Sequence, residues 1–310
     1  MLNGRPALSR LSKVALGLMA PVLLFGLVVW HGLTPISASA ERPHLVNQDV
    51  CGLKDLEPPF TFVVIGDNRS GTDIYAKLVD RIAKDNPAFV ISDGDIALDG
   101  KDKKSWEEFV GLSRPLTMPY LIAPGNHEIW DKESENEFKL NMRQPGNELY
   151  YSFKAGDALF IALDSEVPGD EAKITGEQWD WLVDTLEGSK EKFKFVYLHR
   201  PLYPDKKLGR HYGDSLNKYT DERDKLMTLF KKHGVDAIFA GHDHMYVRSE
   251  RDGIIHVITG GGGSPLYTPR EKGGFYHYIR ASIDDDTASF KVIDVDGVVR
   301  DEFQILKDEK

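Results

Sequence analysis

Cysteine is almost absent from this 310-residue chain: Cys51 stands alone. That excludes an intrachain disulfide framework and any thiolate zinc site of the C-x-x-C kind. The lone thiol reads as buried, and no lipid-attachment pattern precedes it. Basic residues are in deficit, with 39 Lys and Arg against 49 Asp and Glu and a formal net charge of −10. Residues 1–40 hold Arg5, Arg10 and Lys13 and no acid, so the remainder is more acidic still. Such a surface repels a phosphate backbone at long range, which argues against a dedicated binder of long nucleic acid. Any phosphate must be drawn in locally, by a metal or a few basic groups. No internal repeat or low-complexity tract is present. The run Gly260–Gly263 follows a predicted strand but lacks the G-K-[S/T] that would make it a nucleotide-binding loop, so it reads as a flexible turn. With 41% hydrophobic and 28% charged residues, the chain can build a sizeable core.

What is present begins with a targeting segment. Arg5, Arg10 and Lys13 precede an apolar run from Val14 to Trp30, and small residues follow, ending Ala38-Ser39-Ala40. That is the order of a secretory signal, with cleavage before Glu41. The run is also at the short limit of a spanning helix, so a membrane anchor through residues 14–30 is the second reading. Either one puts the working domain outside the cytoplasm, periplasmic or secreted, or held at the membrane by a single pass. Residues 41–58 read as a tether and 59–310 as one domain.

Within that domain, Phe60–Ile65, Ala88–Ile91, Tyr120–Ala123, Leu159–Leu163, Phe193–Leu198 and Asp236–Ala240 are short apolar runs bounded by turn residues, and read as strands. Helical spacing falls on Ile74, Lys77, Leu78, Arg81 and Ile82, with Pro87 as its stop. Trp106, Phe109 and Val110 suggest a second helix, and 176–187 and 221–233 two more, the first with Thr175 and Gln178 placed for a capping box. From Ile254 onward the pattern becomes strands and turns. The class is α/β with a β-rich C-terminal part.

Five motifs each follow a predicted strand: Gly66-Asp67-Asn68-Arg69, Gly94-Asp95, Gly125-Asn126-His127-Glu128, His199-Arg200-Pro201 and Gly241-His242-Asp243-His244. The first steps between them match one βαβ unit each. Right-handed crossovers then bring the strand ends to one edge, where α/β proteins build their sites. Carboxylates, an amide oxygen and imidazoles converging there form a mixed O/N set suited to divalent transition metals.

This set resembles the calcineurin-like metallophosphoesterase family, from about Phe60 to His244. The resemblance implies a four-layer αββα sandwich and a centre of two divalent transition ions, Mn, Fe or Zn. It implies Asp67 and His244 on the first ion, Asp95 bridging, and Asn126, His199 and His242 on the second. His127 corresponds to the family's proton donor to the leaving group. Two positions depart from the pattern. Arg69 stands where the family usually has a metal-binding His. Leu98 stands where the purple acid phosphatase branch has its tyrosine ligand. Arg69 cannot bind a metal, but its fork suits a phosphate oxygen or a carboxylate ligand, and both roles stay open.

The reading is therefore an extracytoplasmic metal-dependent phosphohydrolase acting on a small phosphomono- or phosphodiester through a metal-activated water. Two alternatives share the same residues: a degenerate, non-catalytic binding module on this fold, and a nucleotide phosphodiesterase or nuclease. The retained His127 speaks against the former, and the acidic balance against long nucleic acid for the latter. The stretch Lys206–His211 reads as a solvated loop or a substrate lid.

Overall fold

The computed structural model describes residues 50–307. The predicted signal or anchor lies outside the described residues, and no described helix is long and apolar enough to cross a membrane. Residues 50–58, within the predicted tether, pack against the domain instead of extending away. Leu53 is buried in its core, and its carbonyl accepts from Gly156 N at 3.1 Å. Cys51, expected to be buried, is exposed.

Twelve strands form two six-stranded sheets among the described residues. In the first sheet, β1 (Phe60–Ile65), β2 (Phe89–Ser92) and β3 (Tyr120–Ile122) run parallel. β10 (His277–Asp284), β11 (Thr287–Asp294) and β12 (Val299–Leu306) extend it antiparallel beyond β1. The β-rich end of the chain thus widens this sheet. The second sheet has the order β4 (Tyr151–Ala155), β5 (Ala158–Ala162), β6 (Phe193–Leu198), β7 (Ala237–Ala240), β9 (Ile254–Thr259), β8 (Tyr246–Arg251). Its inner strands β5, β6, β7 and β9 are parallel. They are apolar along nearly their whole length because both faces are covered.

Phenylalanines fill the space between the sheets. Phe62 stacks on Phe89 at 5.3 Å and meets Phe160 edge-on at 5.0 Å. The outer face of the first sheet is covered by α1 (Thr72–Asp85), α2 (Lys103–Leu112) and α3 (Lys132–Met142). That of the second is covered by α4 (Gly176–Glu187) and α5 (Thr220–His233). The result is the four-layer αββα sandwich. Phe62 is fully buried at its centre. Phe62→Ala should lower unfolding stability by ~3–5 kcal/mol in denaturant titration, and a loss under ~1 kcal/mol would contradict this core.

The capping box expected at α4 does not form. Thr175 makes no cap, and its hydroxyl donates to Asp170 instead. Gln178 points inward, accepting from Asp164 N at 2.8 Å and donating to Asp164 O at 2.9 Å. A buried backbone amide and carbonyl just past β5 take the side chain because nothing else satisfies them.

Candidate metal centre

Register brings the motifs together. Ile65 pairs with Ser92, and Ser92 with Ile122, so Asp67, Asp95 and Asn126 leave the first sheet at one edge. Leu198 pairs with Ala240, which sets His199 beside His242 at the matching edge of the second sheet. The seam is closed by His242 N, which donates to Asp67 Oδ2 at 3.0 Å. Three of the predicted ligands hold left-handed backbones: Asp67 (φ 54°), Asp95 (φ 53°) and His242 (φ 68°). Non-glycine residues adopt this region at a cost, and such strain concentrates at functional sites. Close approach also explains two glycines. A Cβ on Gly241 would lie 2.2 Å from Asp67 Oδ2, and one on Gly262 would lie 2.3 Å from Gly66 O. The tetraglycine is therefore not a flexible turn but a buried clamp, with Gly262 N donating to Gly66 O at 2.8 Å.

Around His199 Nε2 lie Asn126 Oδ1 at 2.9 Å, His242 Nδ1 at 3.1 Å and Asp95 Oδ1 at 3.4 Å. His199 Nδ1 donates to the Asp93 carbonyl at 2.9 Å, which aims Nε2 into this group. On the other side, His244 Nδ1 donates to Pro265 O at 2.9 Å and Nε2 faces Asp67 Oδ1 at 3.4 Å. Asp67 Oδ1 is buried with no hydrogen bond. Asp67, Asp95 and His199 each offer a ligand atom within 4.8 Å of the others. The electrostatics ask for positive charge here. Burial lowers His199, but Asp95 and Asp67 together pull it above its usual value. Burial raises Asp67, yet His244 facing it and the charge on His199 hold it low. Asp93 beside them is pushed well up, by burial first and by Asp67 second. His242 is driven down to about 3, chiefly by burial, so its ring is neutral and its lone pair available. Convergent oxygen and imidazole donors, an orphaned buried carboxylate oxygen and this demand for charge fit divalent transition ions.

The remaining predicted residues border this group. Arg69 Nε donates to Asp95 Oδ2 at 2.8 Å, the carboxylate-pairing role of the two left open. His127 N donates to Asp95 Oδ1 at 3.0 Å, and its half-buried ring rests Nδ1 on Leu98 O at 2.8 Å. Leu98 is itself half exposed.

Several residues that the sequence reading left without a role prove structural to the site. Glu128 is buried, with Oε2 accepting from Asp95 N at 2.8 Å and Gly125 N at 2.9 Å and Oε1 from Ala97 N at 2.9 Å. It thus ties the second and third motifs together, and burial with the nearby Asp95 charge raises it to about 8. Asp243 Oδ1 accepts from Arg210 N at 2.8 Å, His211 N at 3.0 Å and Tyr267 OH at 3.0 Å. The stretch Lys206–His211 is thereby anchored, and the His211 ring lies 3.9 Å from that of His242. Asp243 sits between His242 and His244 in the fifth motif, and that position was its signal in the sequence.

The family profile for calcineurin-like phosphoesterases matches residues 60–246. Purple acid phosphatase 18 of Arabidopsis thaliana is 27% identical over 232 residues, covering 66% of this chain and 50% of that protein. The 3′,5′-cyclic adenosine monophosphate phosphodiesterase of Haemophilus influenzae is 28% identical over 188 residues, covering 60% of this chain and 65% of its own length. Among solved structures, a purple acid phosphatase from yellow lupin seeds superposes with a TM-score of 0.69 at 20% identity, over 82% of this chain and 55% of that one. The chain spans about half the length of the plant phosphatase it matches. The profile covers more than half of the chain and the strands whose ends carry the donor set, and the protein belongs to the calcineurin-like phosphoesterase family.

Proposed function

We propose that the protein is a metal-dependent hydrolase of small phosphoesters. Asp67, Asp95, Asn126, His199, His242 and His244 would hold two divalent transition ions, with Asp95 between them. The observation that supports this most directly is the meeting of Asn126 Oδ1, His242 Nδ1 and Asp95 Oδ1 within 3.4 Å of His199 Nε2. Ions bound there supply charge against the phosphoryl oxygens and lower the pKa of an attacking water. The chain's own groups do the rest. Arg69 keeps the Asp95 carboxylate in place through Nε, which leaves its outer N–H groups for a phosphate oxygen. His127, with Nδ1 committed to Leu98 O, presents Nε2 as the atom that holds a proton for the leaving oxygen. Three imidazoles suit Mn, Fe or Zn better than Mg. The order of residues 5–40 supports work outside the cytoplasm.

Stripped of metal and titrated with Mn, Fe or Zn, the purified protein should take up two ions per chain. Hydrolysis of chromogenic mono- and diesters should return with them. Protein that takes up none would overturn the reading. Uptake without hydrolysis of any ester would favour the non-catalytic binding module. The acidic balance of the chain places a small nucleotide diester among the substrates to try and long nucleic acid last.

A further inference from the structure

The three histidines of the proposed centre differ in one respect. His199 and His244 each rest their outward nitrogen on a backbone carbonyl, of Asp93 and Pro265 respectively, at 2.9 Å. Ligand histidines as a rule donate their second ring N–H to such a partner, which fixes the tautomer and strengthens the ligand atom. His242 has no carbonyl there. Its Nε2 is buried without a hydrogen bond, and Asp214 Oδ2 lies 3.6 Å away. That is a few tenths of an ångström beyond hydrogen-bond length.

Asp214 is not loosely placed, although its side chain is 61% exposed. Arg200 NH1 donates to its backbone carbonyl at 2.6 Å and to Oδ1 at 2.9 Å. The rest of the Arg200 fork is locked onto the buried Glu166 carboxylate, Nε at 2.9 and 3.0 Å and NH2 at 2.8 Å. Arg200 directly follows His199, so one strand end supplies a proposed ligand and the clamp that orients another. A paired, buried guanidinium of this kind holds its partners rigidly, because any displacement leaves a charge uncompensated.

We propose that Asp214 is a positioning residue for the second metal site, accepting the Nε2 proton of His242 so that Nδ1 carries the lone pair towards the ion. The inference rests on the ligand assignment above. Glu166 and Arg200 set the carboxylate, the carboxylate sets the ring, and the His242 ring presents Nδ1 beside His199 Nε2 at 3.1 Å. The same Oδ2 lies 3.8 Å from His211 Nδ1, so one carboxylate oxygen also faces the ring lying against His242.

The test uses Asp214→Ala and Asp214→Asn in the full chain, with Zn²⁺ as the titrated ion. Calorimetry should show one zinc bound as in the wild type and the second about 10–100-fold weaker in Asp214→Ala. Asp214→Asn, which keeps an acceptor oxygen but no charge, should recover part of that loss. Nitrogen-resolved NMR of the metal-free protein should place the His242 proton on Nε2 in the wild type and on a mixture of both nitrogens in Asp214→Ala. Unchanged zinc affinity in Asp214→Ala, or a wild-type proton on Nδ1, would overturn the inference. So would a third zinc lost with Asp214, because His211, Asp214 and His242 would then be ligands themselves. A wild type that binds no zinc would instead overturn the metal-centre reading, and this inference with it.

Discussion

Asp95→Asn should abolish turnover, with kcat falling on the order of 10³-fold or more, the equivalent of several kcal/mol of transition-state charge stabilisation. It should also release both ions. Asp95 stands between the two halves of the donor set, within 4.8 Å of ligand atoms on both Asp67 and His199. Its oxygens are also both engaged by N–H groups, Oδ1 by His127 N and Oδ2 by Arg69 Nε. An asparagine would turn an NH₂ towards one of these donors whichever way the amide lay. The carboxylate is held well ionised despite its burial, by the charges of His199, Arg69 and His127. Removing that charge leaves Arg69 without its partner as well. Asp67→Asn should be milder in metal content, because only the Asp67 and His244 side loses a ligand. Metal analysis and single-substrate kinetics on both variants check the ordering. An Asp95→Asn protein that kept two ions and most of its activity would show that another group bridges.

The parts of this molecule legible in its residues are those where one local cause dominates. Phe60–Ile65 and Phe193–Leu198 match the strands at both ends, because a strand covered on both faces is apolar at nearly every position. The motifs fall at strand ends because a glycine, or a strained left-handed residue, is needed where the chain turns beside the donor atoms. By contrast α3, with the sequence KESENEFKLNM, carried no legible stripe. Only Phe138 and Met142 of its apolar residues face the core, Leu140 points to solvent, and the helix is set by the Asp131–Ser134 capping pair. The strand β4 was missed because its polar residues alternate weakly and its partner strand lies only two residues on. Arg200, Glu166 and Asp214 were illegible for another reason. The contacts that give them meaning cross 34 residues and 14 residues of chain, and no periodicity encodes such a pairing. The burial expected for Cys51 failed because composition says nothing of where an N-terminal segment lies on a surface.

His127→Ala should separate proton donation from ion binding. Among the described residues the ring's hydrogen bond goes to Leu98 O, outside the donor set. Its contact with the group is through the backbone, His127 N to Asp95 Oδ1, and an alanine keeps that hydrogen bond. Both ions should therefore stay, at wild-type affinity. What the variant loses is the half-buried imidazole, whose Nδ1 is held on Leu98 O. A positioned general acid contributes about 10²–10⁴-fold, and most of that when the leaving group is a poor one. An alkoxide needs a proton as the bond to phosphorus breaks, whereas a nitrophenolate leaves without one. Turnover of alkyl phosphates should accordingly fall about 10²–10⁴-fold in His127→Ala, with nitrophenyl esters losing far less. Equal losses on both substrate classes would assign His127 to holding the phosphate. Loss of metal would make it a ligand, and the hydrogen bond from its backbone to Asp95 would then be the lesser of its two ties to the centre.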